Sequence, residues 1–208
     1  MTQYSLTVLN SSGASQNIAM YQSYPNVLTG LPLVWYNKVI PTGNSTTFTW
    51  AIDWSLNWGT STQPLVPGVA WTSGGPVQAM QPVGGVNAMG VTYSGSEFQT
   101  SPLAYVDAAV PAGDMAVFTD TSFTVAQAEL MSLAVYMNGT PTFAVQGEPN
   151  GTFLFETTPT YYICTTSASQ GVAISELFVS SPTTVEFDAG VIALSYTLNS
   201  ELEFVLSA

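Results

Sequence analysis

Basic side chains are almost absent from this chain. Lys38 stands alone, with no arginine and no histidine, against thirteen carboxylates in 208 residues. A formal net charge of −12 repels phosphate backbones and anionic lipid headgroups, and a single lysine releases too few counterions to hold a nucleic acid. Nucleic acid is therefore excluded as a partner. Without histidine the usual general base at neutral pH is missing, and without arginine there is no planar fork for a carboxylate or phosphate. Transition metals lose their imidazole ligands in the same way, and one cysteine, Cys164, supplies neither a thiolate cluster nor an intrachain disulfide. Its neighbours Tyr161, Tyr162 and Ile163 favour a buried, inert thiol over a reactive one.

Long apolar runs are also missing, so no segment reaches the length of a membrane span and integral insertion is not expected. The opening Met1-Thr-Gln-Tyr-Ser-Leu-Thr-Val-Leu9 has no positive region and alternates apolar with polar residues. It reads as a strand and not as a signal peptide, which favours a cytoplasmic protein, with leaderless release as the alternative. Charge of either sign is scarce: 7% of residues, where a soluble domain carries about 25%. The surface must then be built from Ser, Thr, Asn, Gln, Gly and backbone. Such a surface can meet a copy of itself with little cost of desolvating charge.

What the chain does contain is period-two alternation. Tyr4, Leu6 and Val8 share one face, as do Phe48, Trp50 and Ile52, Phe153 and Phe155, Ile192, Leu194 and Tyr196, and Leu202, Phe204 and Leu206. Each set predicts a half-buried strand, and Gly, Pro and Asn clusters punctuate them. Asn138-Gly139 between two apolar alternations is the clearest hairpin. About thirteen strands linked in this way predict an all-β fold, a two-sheet β-sandwich with Greek-key-like connections, with residues 1–208 as a single domain. Between Gly59 and Gly95 a Gly, Pro and Ser-rich loop is expected, anchored by Val66, Val69, Trp71 and Met80. From Thr124 to Tyr136 a single helical turn is predicted, capped by Ser122 or Thr124.

The densest feature is Phe48-Thr-Trp50-Ala-Ile-Asp53-Trp54-Ser-Leu-Asn57-Trp58-Gly59. In one unbroken strand Trp50, Trp54 and Trp58 would line up as an aromatic wall with Asp53 and Asn57 on the other parity. Core packing is one arrangement open to it, each indole N–H then needing an acceptor. An exposed platform for a neutral polar ligand such as a sugar is the second, with Trp50, Asp53, Trp54, Asn57 and Trp58 as its candidate residues, and a self-association patch is the third. Lys38 is expected to keep its ammonium in solvent with its stem on the surface.

Carboxylate pairs at Asp114 and Asp120, Glu186 and Asp188, and Glu201 and Glu203 lack the dense oxygen-rich loop that calcium requires, so no metal and no cofactor is expected. No catalytic residue is assigned. Val91-Thr-Tyr-Ser-Gly-Ser96 lacks the first glycine of a nucleophile elbow, and two-carboxylate glycoside hydrolysis is the one chemistry this composition leaves open.

The runs Tyr4-Ser-Leu-Thr-Val-Leu-Asn-Ser-Ser12, Tyr21-Gln22, Leu33-Val-Trp35-Tyr-Asn-Lys38, Phe48 to Gly59 and Pro67-Gly68 resemble the RhiA-type, rhizosphere-expressed proteins of bacteria. The likeness extends to about residue 75. It implies a leaderless microbial protein induced by growth state, and it brings no catalytic or ligand residues with it. The charge-poor polar surface predicts a non-enzymatic structural protein that self-associates into an ordered assembly or inclusion, its partner being itself. The alternative is a lectin-like module that binds neutral glycans through the tryptophans.

Overall fold

Alternation in the sequence becomes alternation in burial. In strand β1 (Gln3–Asn10) Leu6 and Val8 are fully buried while Gln3 and Leu9 face out, and in β5 (Ser45–Ala51) Thr46, Phe48 and Trp50 are buried between exposed Ser45, Thr47 and Thr49. Each such apolar side chain removed from water contributes about 1.5–3 kcal/mol. The computed structural model describes residues 2–27, 29–101 and 110–207.

The strands do not form the expected two-sheet sandwich. Among the described residues they form four sheets. Sheet I runs β17 (Phe204–Leu206), β16 (Ala193–Leu198), β1, β5. Sheet II runs β15 (Val179–Val185), β14 (Thr160–Thr166), β2 (Gln16–Ser23), β4 (Tyr36–Ile40). Sheet III runs β3 (Leu31–Pro32), β12 (Thr140–Gln146), β11 (Met131–Met137), β6 (Trp54–Thr60), β7 (Gln78–Ala79). Sheet IV runs β13 (Thr152–Glu156), β10 (Asp114–Thr119), β8 (Ala88–Ser94), β9 (Glu97–Ser101).

Two physical reasons account for the difference. Alternation determines which side chains point inward but not which strand is the neighbour, and here β1 pairs in parallel with β16 and β8 with β10, partners far apart or separated by other strands. Several strands are also buried on both faces. All seven residues of β11 and six of the seven in β6 are buried, a pattern that requires cover on each side of the sheet. Sheet III receives that second cover from irregular chain: Trp71 lies edge-on to Tyr136 at 5.6 Å and donates through Nε1 to Ser132 Oγ at 2.8 Å. One hydrophobic core draws on all four sheets, with Leu6, Ile18, Leu56 and Val117 each at 0% exposure.

The local expectations fare better. Asn138-Gly139 turns β11 into β12 with φ of 53° and 73°, the doubly positive turn that matches strand twist. The helix is a single turn, α1 (Val125–Ala128), capped by Thr124 in a reciprocal box with Gln127. The chain beyond it becomes β11 because Leu133, Val135 and Met137 alternate with a period of two. In the long loop Trp71 and Met80 are the buried anchors, whereas Val66 is 48% exposed. Ile192, Leu202 and Leu206, placed inward by alternation, are exposed, since each lies at or beyond a strand end. Lys38 is exposed on β4, and no helix among the described residues is long and apolar enough to cross a membrane.

Candidate functional site

The tryptophan run is not one strand. It breaks at Ile52-Asp53, so β5 stays in sheet I while β6 enters sheet III. The five candidate residues consequently separate into three places. Trp50 is core: its ring stacks on Tyr4 (6.0 Å) and meets Trp35 (5.3 Å) and Phe187 (5.7 Å) edge-on, while its Nε1 makes no hydrogen bond among the described residues. Asp53 is exposed and, with the buried Trp54, borders a shallow cavity of about 420 Å3 beside Met80. Trp58 lines a third place, a cleft of about 700 Å3, and Asn57 is buried behind its wall. The aromatic wall is therefore not assembled.

The cleft is built around Trp58. Its indole is 6% exposed and lies against backbone: a Cβ added at Gly74 would fall 2.2 Å from the ring, and one at Gly75 2.8 Å. Glycine is required there because the chain passes too close to the ring for any side chain. Asn57, fully buried, holds this wall. Its Nδ2 donates to Ser73 Oγ (2.6 Å) and Gly75 O (3.0 Å), and its Oδ1 accepts from the Trp58 backbone N–H (2.8 Å). On the opposite side Trp58 Nε1 donates to Thr100 Oγ1 at 3.2 Å, which ties sheet III to the β9 edge of sheet IV.

The β8–β9 hairpin supplies the other wall. Gly95 and Ser96 take φ of 64° and 74° at its tip, and Tyr93 sits edge-on to Phe98 at 5.0 Å. Ser122 Oγ accepts from the Tyr93 backbone N–H at 2.6 Å and is itself hydrogen-bonded to Asp120. Burial raises the Asp120 pKa, but donation from Ser122 and Thr92 outweighs it and holds the carboxyl below its usual range. An ionised Asp120 thus steadies the strand that carries Tyr93. Sequence reading passed over Tyr93, Gln99 and Thr100. The signal the sequence carries there is Ser94-Gly95-Ser96, a hairpin turn flanked by alternation, inside the segment that resembles an incomplete nucleophile elbow.

A second feature lies on sheet I. None of the residues of β1, β5, β16 and β17 is charged. Their outward side chains form uncharged cross-strand rows: Thr47, Thr7 and Ser195 align as a row of hydroxyls, and in the next row the hydroxyls of Ser45 and Thr197 alternate with the exposed aliphatic side chains of Leu9 and Val205. Thr7 and Thr47 share a hydrogen bond of 2.9 Å, and Thr197 and Ser207 one of 3.0 Å. Strands of sheet III are uncharged as well, but β6 and β11 are buried on both faces. The sheet I face is open to solvent. Cys164, by contrast, is buried, and its surroundings push the thiol up to about 12.

The family model for RhiA matches residues 1–208, extending the likeness well past residue 75. "Protein RhiA" from Rhizobium leguminosarum bv. viciae is 28% identical over 204 residues, covering 96% of this chain and 84% of that protein. No solved structure matches.

Proposed function

The chain belongs to the RhiA family, and we propose that it is a non-enzymatic structural protein whose copies associate through the uncharged outer face of sheet I. The observation that carries this reading is the placement of charge. In a chain of net charge −12, contact between two copies through acidic surface brings carboxylates together, whereas the four strands of sheet I bring none. Hydroxyl rows also exchange bonds with water for bonds with one another at small net cost.

The dimensions set the strength. Four strands about 4.8 Å apart, each presenting about six residues at about 3.3 Å, give a face of roughly 400 Å2 per copy. Two such faces bury about 800 Å2 in total, in the range of weak, transient contacts. A face contact of this kind closes a dimer. Growth requires a second contact, and the edge of the sheet offers one: β17 carries no proline or charge, and its Val205 and Leu206 are 50% and 56% exposed. An edge without proline or charge is a template for pairing with another strand, and the three residues of β17 make that ladder short and the contact weak.

Sedimentation velocity at increasing protein concentration, with electron microscopy of the concentrated sample, tests the reading. The expected result is a reversible rise in weight-average sedimentation coefficient and the appearance of regular particles. A monomer at every concentration up to about 1 mM, where even weak contacts of this size populate, would overturn it.

A further inference from the structure

The geometry points to the Trp58 cleft as a saccharide site, one that takes a short, neutral oligosaccharide. Its volume of about 700 Å3 lies inside the range of about 300–1,000 Å3 typical of small-ligand sites. The lining selects the ligand by chemistry. Thr60, Gln78, Gln99, Thr100 and Gln127 contribute hydroxyls and carboxamides, and Glu97 is the one charged side chain among the lining residues. A phosphate or carboxylate ligand would meet no cation there and would face Glu97. An apolar ligand would strip water from these hydroxyls and amides without replacing its hydrogen bonds, a loss of about 1–3 kcal/mol for each group. A polyhydroxyl ligand satisfies them.

The hydrogen-bonding state of individual groups supports the same class. Thr100 Oγ1 already accepts from Trp58 Nε1, so its own proton is left to donate. Gln127 Oε1 is taken by the Thr124 N–H at 2.8 Å, which leaves the amide nitrogen as the group it offers. Gln99 donates to Ser94 O (3.2 Å) and Glu97 Oε1 (3.3 Å), and its carbonyl oxygen is the acceptor it brings to the site. The cleft therefore offers both donors (Thr100, Gln127) and an acceptor (Gln99), as the hydroxyls of a sugar need. Tyr93, half-buried at the rim, supplies an aromatic face for the C–H side of a pyranose. This differs from the sequence-based platform, because Trp58 now shapes the floor and Trp50 and Trp54 take no part.

The test uses maltotriose, cellotriose and tri-N-acetylchitotriose as neutral probes and trigalacturonate as the anionic control, with saturation-transfer NMR and indole fluorescence as readouts. At least one neutral trisaccharide is expected to bind saturably and at least about tenfold more tightly than trigalacturonate. Thr100→Val, which keeps the side-chain shape, and Gln99→Leu should each weaken that binding by about tenfold, the loss of one good hydrogen bond; Gln99→Leu should melt within a few degrees of the parent, whereas Thr100→Val also takes the acceptor from the Trp58 indole N–H and should melt lower. The inference is overturned if no neutral trisaccharide binds at concentrations up to about 10 mM, if trigalacturonate binds as well, or if both variants bind as the parent does.

Discussion

Replacing Asn57 with alanine isolates the group that holds the cleft wall. The side chain is fully buried and makes three hydrogen bonds, to Ser73 Oγ, Gly75 O and the Trp58 backbone N–H. Each bond contributes about 0.5–1.5 kcal/mol net, and a buried backbone group left without a partner costs about 1–3 kcal/mol. Ser73 can keep its second bond, to Gly75 O at 2.8 Å, which offsets part of the loss. The expected cost of Asn57→Ala is therefore about 2–4 kcal/mol, or a fall in Tm of roughly 4–16 °C for a domain of this size. Asp53→Ala, four residues away and exposed, should stay within about 0.5 kcal/mol. Urea unfolding followed by indole fluorescence measures both, and it also reports the solvent exposure of Trp58 as its Gly74-Gly75 cover loosens. Equal, small costs for the two variants would refute the assignment of Asn57 as the structural support of the wall.

Three further outcomes follow from particular groups. Trp50 Nε1 is buried without an acceptor, whereas Trp35 Nε1 donates to Met137 O at 3.3 Å; Trp50→Phe should destabilise less than Trp35→Phe by about 1–2 kcal/mol, measured by denaturant unfolding, and the reverse order would contradict the hydrogen-bond assignment. Burial pushes Tyr161 up to about 12, the nearby Trp50 indole N–H, which falls short of hydrogen-bond geometry, lowering it slightly and Tyr4 raising it, and burial alone pushes Cys164 up to about 12. Both groups are neutral when protonated, so above about pH 9 the unfolded chain loses protons that the folded chain keeps. Stability should be intact below that pH and decline toward pH 12, with tyrosinate absorbance from Tyr161 rising together with loss of circular dichroism; ionisation well before unfolding would count against its burial. Raising ionic strength from about 10 mM to about 150 mM shortens the screening length from about 30 Å to about 8 Å, so self-association of this acidic chain should strengthen in sedimentation runs, and weakening would indicate contact through charge pairs.

The sequence made the inward faces of most strands legible, because burial follows a period of two whichever sheet a strand joins: Leu6 and Val8, Phe48 and Trp50, and Phe155 all point where alternation puts them. Turn chemistry was equally local, and Asn138-Gly139 and the Thr124 cap could be read from neighbouring residues alone. Sheet membership was not legible. The two residues Ile52 and Asp53 redirect the chain from sheet I to sheet III, and neither is a glycine or proline that would announce a break. The cleft was legible only through Trp58, since its other walls come from the Gly74–Pro76 passage, the β8–β9 hairpin and the turn after α1, segments that meet by tertiary packing. The bare hydroxyl face was present in the composition as a shortage of charge, but its location needed the register of β1 with β5 and β16.

Sedimentation velocity of Thr47→Lys and Thr121→Lys beside the parent chain tests the central claim most directly. Both substitutions change the formal net charge from −12 toward neutrality by one, so any effect through overall repulsion alone would strengthen association in both. Thr47 lies in a central row of the sheet I face, while Thr121 is exposed outside it. The account predicts that Thr47→Lys abolishes concentration-dependent association, because two ammonium groups then face each other across the contact, and that Thr121→Lys leaves it intact or slightly stronger. Association that persists unchanged in Thr47→Lys would contradict it.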